Sequence, residues 1–197
     1  MNLDLAAPMI IPPTSFDISA LVDEAQNKLW LKSLRKKIVK VAGYLPSIAG
    51  ARTPVYKTGN GQQGYYFVEY DNKTVVLVQY QRSKIKKLNN LPVITQIALW
   101  KDDDFSVPAD FSSRLFFDVV LADNGALLSD KKQTEYGMRF WKRRLIEALD
   151  KDKAVYFWNA NKGSVQRINS IVELQTMYRV SWSSEKAAAK LRWIVVN

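Results

Sequence analysis

The spacing of apolar residues along this chain changes period several times, and each change marks an element. Ile18, Leu21, Val22, Ala25 and Leu29 recur at helical spacing, and Leu31, Leu34, Ile38 and Val41 continue the pattern with a small phase shift. Asp17 is placed to cap that helix and Gly43 to end it. Ahead of it, Pro8, Pro12 and Pro13 make residues 1–15 an extended arm. Gly64 to Tyr70 and Thr74 to Gln81 are rich in Tyr, Phe and Val, and Asp71-Asn72-Lys73 between them predicts a β-hairpin. Val93 to Trp100 reads as a further strand. Asp110 caps a helix running to about Leu121, stopped by Asn124-Gly125. Ala126 to Leu128 is a short apolar strand. Asp130, with Gln133 three residues on, sets up a capping box for a helix whose apolar face is Met138, Trp141, Leu145, Ala148 and Leu149. Ala154 to Trp158 is a buried strand, Ser164 to Met177 a helix, and Tyr178 to Trp182 and Leu191 to Val196 closing strands. No repeat or long linker divides residues 16–197. They read as one α/β domain with a mixed, mostly antiparallel sheet flanked by helices.

Composition removes whole classes of chemistry. The 197 residues hold no Cys and no His. Disulfides, thiolate metal sites, Cys nucleophiles, Ser-His-Asp triads and His bases are therefore excluded. With 29 Lys and Arg against 19 Asp and Glu, the net charge is +10, which suits an anionic partner. Lys28, Lys32, Arg35 and Lys36 fall within about 100° of one another on the first helix. Arg82, Lys84, Lys86 and Lys87 form a second basic run after the hairpin. Each group is either a solvated surface or a binding surface for nucleic acid or an acidic protein. Aromatic and basic residues also interleave in "YYFVEY", "QYQRSKIKK" and "MRFWKRR", as they do where single-stranded nucleic acid is held. The N-terminal stretch lacks a basic leader and no run approaches the length of a membrane span, so no membrane partner is expected. The expected location is the cytoplasm.

Two motifs lose their chemical reading on context. Gly59-Asn60-Gly61-Gln62-Gln63-Gly64 is a literal G-x-G-x-x-G, but a dinucleotide loop must follow a strand and open a helix. Here a strand follows. A kinase glycine loop would require H-R-D and D-F-G later in the chain, and neither is present. The glycines read as a flexible lead into the first hairpin. Asp102-Asp103-Asp104 lacks the spacing of an oxygen-ligand loop and reads as a solvated acidic turn, so no metal is expected.

The segment Ala126 to Ile168 carries a more informative order: strand, polar turn with Gln and Gly, amphipathic helix, strand, then Asn and a second helix. That order resembles the core of the GNAT (N-acetyltransferase) superfamily. In that superfamily a central strand splays from its neighbour, and a Gln/Arg-x-x-Gly-x-Gly/Ala loop opens the following helix. The backbone N–H groups of that loop hold the pyrophosphate of acetyl-CoA or another acyl-CoA, as helix N-termini hold anions in general. The resemblance implies a cofactor loop at Lys132, Gln133, Thr134, Gly137 and Arg139, and acid or base candidates at Asp130, Glu135 and Tyr136. Aligning Gly137 with the first family glycine puts Thr134 where Gln or Arg belongs and Arg139 where a small residue belongs. The position near Ile168, where members often carry a Tyr acid, is apolar. The segment "SDKKQTEYGMRFW" also resembles uncharacterised phage and mobile-element proteins, which implies an accessory role in a host cytoplasm.

The expectation is thus a basic accessory protein on an acyltransferase-like scaffold without a cofactor. It would act by binding a macromolecule, protein first and nucleic acid second. The alternatives are an active N-acyltransferase with a variant loop and a dedicated nucleic-acid binder.

Overall fold

Nine strands form one sheet in the computed structural model, which describes residues 40–45, 52–59, 62–70, 73–101, 106–130, 135–181 and 190–197. In chain order they are β1 (Lys40–Leu45), β2 (Thr53–Gly59), β3 (Gln63–Tyr70), β4 (Lys73–Ile85), β5 (Leu91–Lys101), β6 (Ala126–Leu128), β7 (Ala154–Asn159), β8 (Ser164–Ile168) and β9 (Leu191–Val196). The order across the sheet is β1-β2-β3-β4-β5-β6-β9-β7-β8. Every neighbouring pair is antiparallel except β5 and β6. Helix α1 follows β5 and is built from Phe111–Arg114, a π-wound stretch Leu115–Leu121, and Ala122–Asn124. Helix α2 is Glu135–Asp150 and helix α3 is Ile171–Ser181. A short 3₁₀ turn, Lys86–Leu88, joins β4 to β5.

The first five strands are a meander of hairpins. Thr74 to Tyr80 is buried without alternation, because both faces of β4 are covered there. A strand in that position reads as a continuous apolar run, which "TVVLVQY" is. The remaining strands are joined by crossovers. β5 to β6 through α1 and β6 to β7 through α2 step the same way along the sheet. Crossovers of the usual right hand then put both helices on one face. Trp141 of α2 meets Phe116 of α1 edge-on at 5.5 Å, as that requires. α3 returns from β8 to β9 over the same face, where Leu174 is fully buried. On the opposite face the β4–β5 turn curls toward β8. Ile85, Leu88, Leu91 and Val93 pack there against Leu128, Ile194 and Trp158 in a second, smaller core. No helix among the described residues is long and apolar enough to cross a membrane.

Several sequence expectations hold: the strands near Gly64, Thr74, Val93, Ala126, Ala154 and Leu191, and the apolar face of α2. Others do not. The first helix was expected to reach Val41 and stop at Gly43, but Lys40–Leu45 is a strand paired with β2. Residues 1–39, with the arm and the Lys28, Lys32, Arg35 and Lys36 stripe, lie outside the described residues. Ser164–Ile168 is a strand instead of the start of a helix, and the helix begins at Ile171 and absorbs the strand expected from Tyr178. The reason is local. The Ser170 hydroxyl accepts the N–H of Glu173 at 3.2 Å, and the Glu173 carboxylate accepts the N–H of Asn169 at 2.9 Å. This reciprocal cap fixes the start one turn before the buried Leu174. Asp130 is not the cap of α2, which begins five residues later. The Asp110 side chain makes no cap bond and pairs with Arg114 instead.

The glycine motif also changes meaning. Gly59 and Gly64 are the last paired residues of the β2–β3 hairpin. A Cβ on Gly64 would lie 2.3 Å from the Tyr80 hydroxyl and 2.5 Å from the Thr58 carbonyl oxygen. The glycine is therefore a close-packed strand position, not a flexible lead. Gly64→Ala is expected to lower stability by about 2 kcal/mol through overpacking. For a chain of this size that is a fall of roughly 6 °C in melting temperature. An unchanged thermal melt, followed by circular dichroism, would show that Tyr80 does not close over this backbone.

Candidate functional site at the divergence of two parallel strands

β5 and β6 pair at only two positions, Ile94 with Leu127 and Thr95 with Leu128. β6 ends there, while β5 continues beside β4 to Lys101. The two strands therefore part, at the end of the sheet where β6 and β7 finish and β9 begins. α2 opens just beyond. In parallel arrangements ligands gather at the carboxyl ends of strands, so this wedge is the natural place to look for a site.

The residue that occupies it is Arg192, second in β9 and 5% exposed. Its Nε donates to the Ser129 carbonyl at 2.7 Å, and its Nη2 donates to the same oxygen and, at 3.2 Å, to the Thr95 hydroxyl. The guanidinium thus reaches from β9 past the end of β6 to β5. Its carbon lies 5.7 Å from the centre of the Trp158 ring. Burial lowers its pKa to about 10, and the negative charge of Asp130 opposes that shift. At neutral pH the group remains a cation. Ser129 continues the β6–β9 ladder beyond the strand: its N–H donates to the Trp193 carbonyl at 2.8 Å, and its hydroxyl accepts the Trp193 N–H at 2.9 Å. Trp193 is itself pinned by its indole N–H to the Ser181 hydroxyl at 3.1 Å.

Around this wedge the sequence candidates are scattered. Asp130 is half-buried and within electrostatic range of Arg192. Lys132, Gln133 and Thr134 lie outside the described residues. Glu135 and Tyr136 form the start of α2, and their side chains are not described. Gly137 is the third residue of α2 and buried, so it sits inside the helix, not in a loop ahead of it. Arg139 is exposed on the same helix. The strands at Ala126 and Ala154 are separated by β9. Arg82, Lys84 and Lys86 are exposed at the other end of the sheet, on the β4–β5 hairpin, with Arg82 5.6 Å over the Tyr80 ring. Lys87 shares that turn, and its side chain is not described.

Two polar clusters escaped the sequence reading. At the end of α1, Lys57 of β2 donates to both oxygens of Asp123 at 2.7 Å, and the fully buried Tyr66 hydroxyl donates to the same carboxylate at 2.6 Å. Burial first, and the bond to Asp123 second, push the Tyr66 pKa far above its ordinary value. Between α1 and α2, Glu147 accepts from Ser113 and pairs with Lys151 at 3.0 Å. Burial alone would raise the Glu147 pKa, but these partners and Arg144 outweigh it and hold it below the usual carboxylate range. Only the spacing of Glu147 and Lys151, four apart on a helix, was visible in the sequence.

The arrangement can hold charge but offers little for proton transfer. Tyr178 beside α2 is pushed up to about 12 by burial, so it stays protonated. The apolar cavity between α1, α2 and the sheet measures about 20 Å³ and is lined by Val78, Leu127, Phe116, Phe140 and Trp141. It has room for about one water and none for an acyl chain. No protein-family model, curated protein or solved structure matches the chain.

Proposed function

We propose that this protein is a basic binding protein on an acyltransferase-like scaffold, and that it engages a macromolecular partner without doing chemistry on it. The parallel pair β5 and β6, parting after two residue pairs, agrees with the splayed central strands of the GNAT superfamily. The observation that carries the non-catalytic reading is Arg192. A cofactor lying between splayed strands needs open backbone there, and the described wedge holds a buried guanidinium bonded to Ser129 and Thr95. The absence of His and Cys from the sequence leaves few groups able to shuttle a proton at neutral pH.

Calorimetric titration with acetyl-CoA tests the reading. The expected result is no saturable heat, with any affinity weaker than about 1 mM. Saturable micromolar binding would overturn it and restore the active N-acyltransferase as the better description.

A further inference from the structure

The exposed cations of the described surface are not evenly spread. α2 carries Arg139, Lys142 and Arg143 on its exposed side, between its second turn and its middle. α3 ends beside it: the Tyr178 hydroxyl donates to the Met138 carbonyl at 2.8 Å, and the Lys142 ammonium lies 5.4 Å from the centre of the Tyr178 ring. The positive charge of Arg139 acts on the same tyrosine, opposing the upward shift that burial gives it. Arg179, exposed, is the next residue on α3. The last residue of α3, Ser181, is held to Trp193 at the start of β9. Lys190, three residues earlier, accepts the N–H of Ala160 through its carbonyl at 2.7 Å, which brings the exposed Lys162 of the β7–β8 turn to the same end.

The carboxylates are elsewhere. Glu147, Asp150 and Asp152 lie on or just after the last turns of α2, and Asp110, Asp118 and Asp123 lie on or beside α1, which packs there through Ser113 and Glu147. Glu173 is in the first turn of α3, the opposite end of that helix. Of the described carboxylate side chains, Asp130 lies beside the cationic cluster, and Glu69 is at the same end of the sheet but on β3, three strands over from β6. The α2 N-terminus adds its own positive potential there. The exposed apolar residues of α3 are broken up, with Thr176 between Val172 and Val180, so this end carries charge in place of a continuous apolar patch.

We infer that the end of the fold formed by the start of α2, the end of α3 and the β7–β8 turn binds the phosphodiester backbone of nucleic acid, independent of base sequence. Arg139, Lys142, Lys162 and Arg179 make the phosphate contacts. This names the partner of the binding protein proposed above and rests on that reading. The surface is distinct from the β4–β5 hairpin, whose Arg82 and Lys84 are at the other end of the sheet.

Fluorescence anisotropy with a labelled oligonucleotide of about 20 nucleotides, as single-stranded DNA, single-stranded RNA and duplex, tests the inference. Four phosphate contacts predict that the logarithm of the association constant falls with the logarithm of salt with a slope of about −3 for a single strand and about −4 for a duplex. The two arms distinguish which form fits. The triple variant Lys142→Glu/Lys162→Glu/Arg179→Glu, all at exposed positions, should weaken binding at least tenfold and flatten the slope by about 2. Arg82→Glu/Lys84→Glu should leave both unchanged. Absence of salt-dependent binding, or loss that follows the hairpin variant instead, would overturn the inference. So would polyglutamate competing as well as DNA at equal charge, which would assign the surface to an acidic protein. Each of these outcomes leaves the non-catalytic reading standing, because that depends on acetyl-CoA alone.

Discussion

Replacing Asp123 with alanine is expected to lower the unfolding free energy by about 3 kcal/mol. The ordinary expectation for a Lys–Asp pair at a protein surface is below about 1 kcal/mol, because both ions stay hydrated. This pair is different: the side chains of Lys57 and Asp123 are 21% and 14% exposed. Three hydrogen bonds converge on the carboxylate, two from Lys57 and one from Tyr66. Removing it leaves a largely buried ammonium without its carboxylate and a buried phenol whose hydrogen has lost its acceptor. Asn124 keeps its partners, since its amide donates to the Tyr66 hydroxyl at 2.5 Å and to the Val120 carbonyl, so the loss falls on Lys57 and Tyr66. Chemical denaturation reads the loss directly, and the melting temperature should fall by roughly 9 °C. Asp123→Asn keeps an acceptor for Tyr66 and should lose about half as much. Lys57→Met/Asp123→Leu removes both charges and should recover much of the alanine loss. A loss below about 0.5 kcal/mol for Asp123→Ala would place the pair with exposed ion pairs and refute the argument.

The cluster was invisible in the sequence for a definite reason. Lys57 and Tyr66 face each other across the β2–β3 hairpin, but Asp123 is 66 and 57 residues away from them, and each alone has an ordinary reading: a strand lysine, a strand aromatic, an acidic residue before an Asn-Gly stop. What joins them is the packing of α1 across β2 and β3, a tertiary fact with no local signature. The elements themselves were far more legible. Apolar runs between turn residues located the β3–β4 hairpin, β6 and β9, burial on one face left a helical repeat for α2, and Gly125, with φ of 76°, marked a helix end. They failed at β1 and β8. "KVAGYL" continued an apparent helical phase, and "SVQRI" is exposed along an edge and carries no alternation. The capping box at Ser170 and Glu173 was a readable signal that would have corrected the second error. The candidate site was legible only in outline. The order of strands and helices pointed to α2, but the residue filling the wedge, Arg192, comes from β9. There it reads as one charge in "LRWIVV" with no hint of its partners.

Arg192 gives the second large effect, and its direction depends on what replaces it. Lowering an arginine pKa from 12.5 to about 10 means that the charged state costs about 3 kcal/mol relative to water. Against that stand its bonds to the Ser129 carbonyl and the Thr95 hydroxyl, each worth about 1.5–3 kcal/mol for a charged donor. At the low end of that range the terms nearly cancel, so the guanidinium holds the wedge in register more than it stabilises the fold. Arg192→Met keeps most of the volume and sheds the charge, and should change stability by no more than about 1 kcal/mol. Arg192→Ala removes the volume as well, leaving a void beside Trp158 with two polar groups at its rim, and should cost about 3 kcal/mol. The pair of denaturation curves separates the two roles. If methionine is as damaging as alanine, the hydrogen bonds dominate and the wedge depends on charge. If methionine is tolerated, volume dominates, and the Met variant becomes the clean test of the scaffold: it removes the buried cation without emptying the site. Acetyl-CoA binding gained by Arg192→Ala and absent from both the parent and Arg192→Met would show that the side chain had closed a cleft able to take the cofactor. No gain in either variant would show that Arg192 alone does not keep the cofactor out of the wedge.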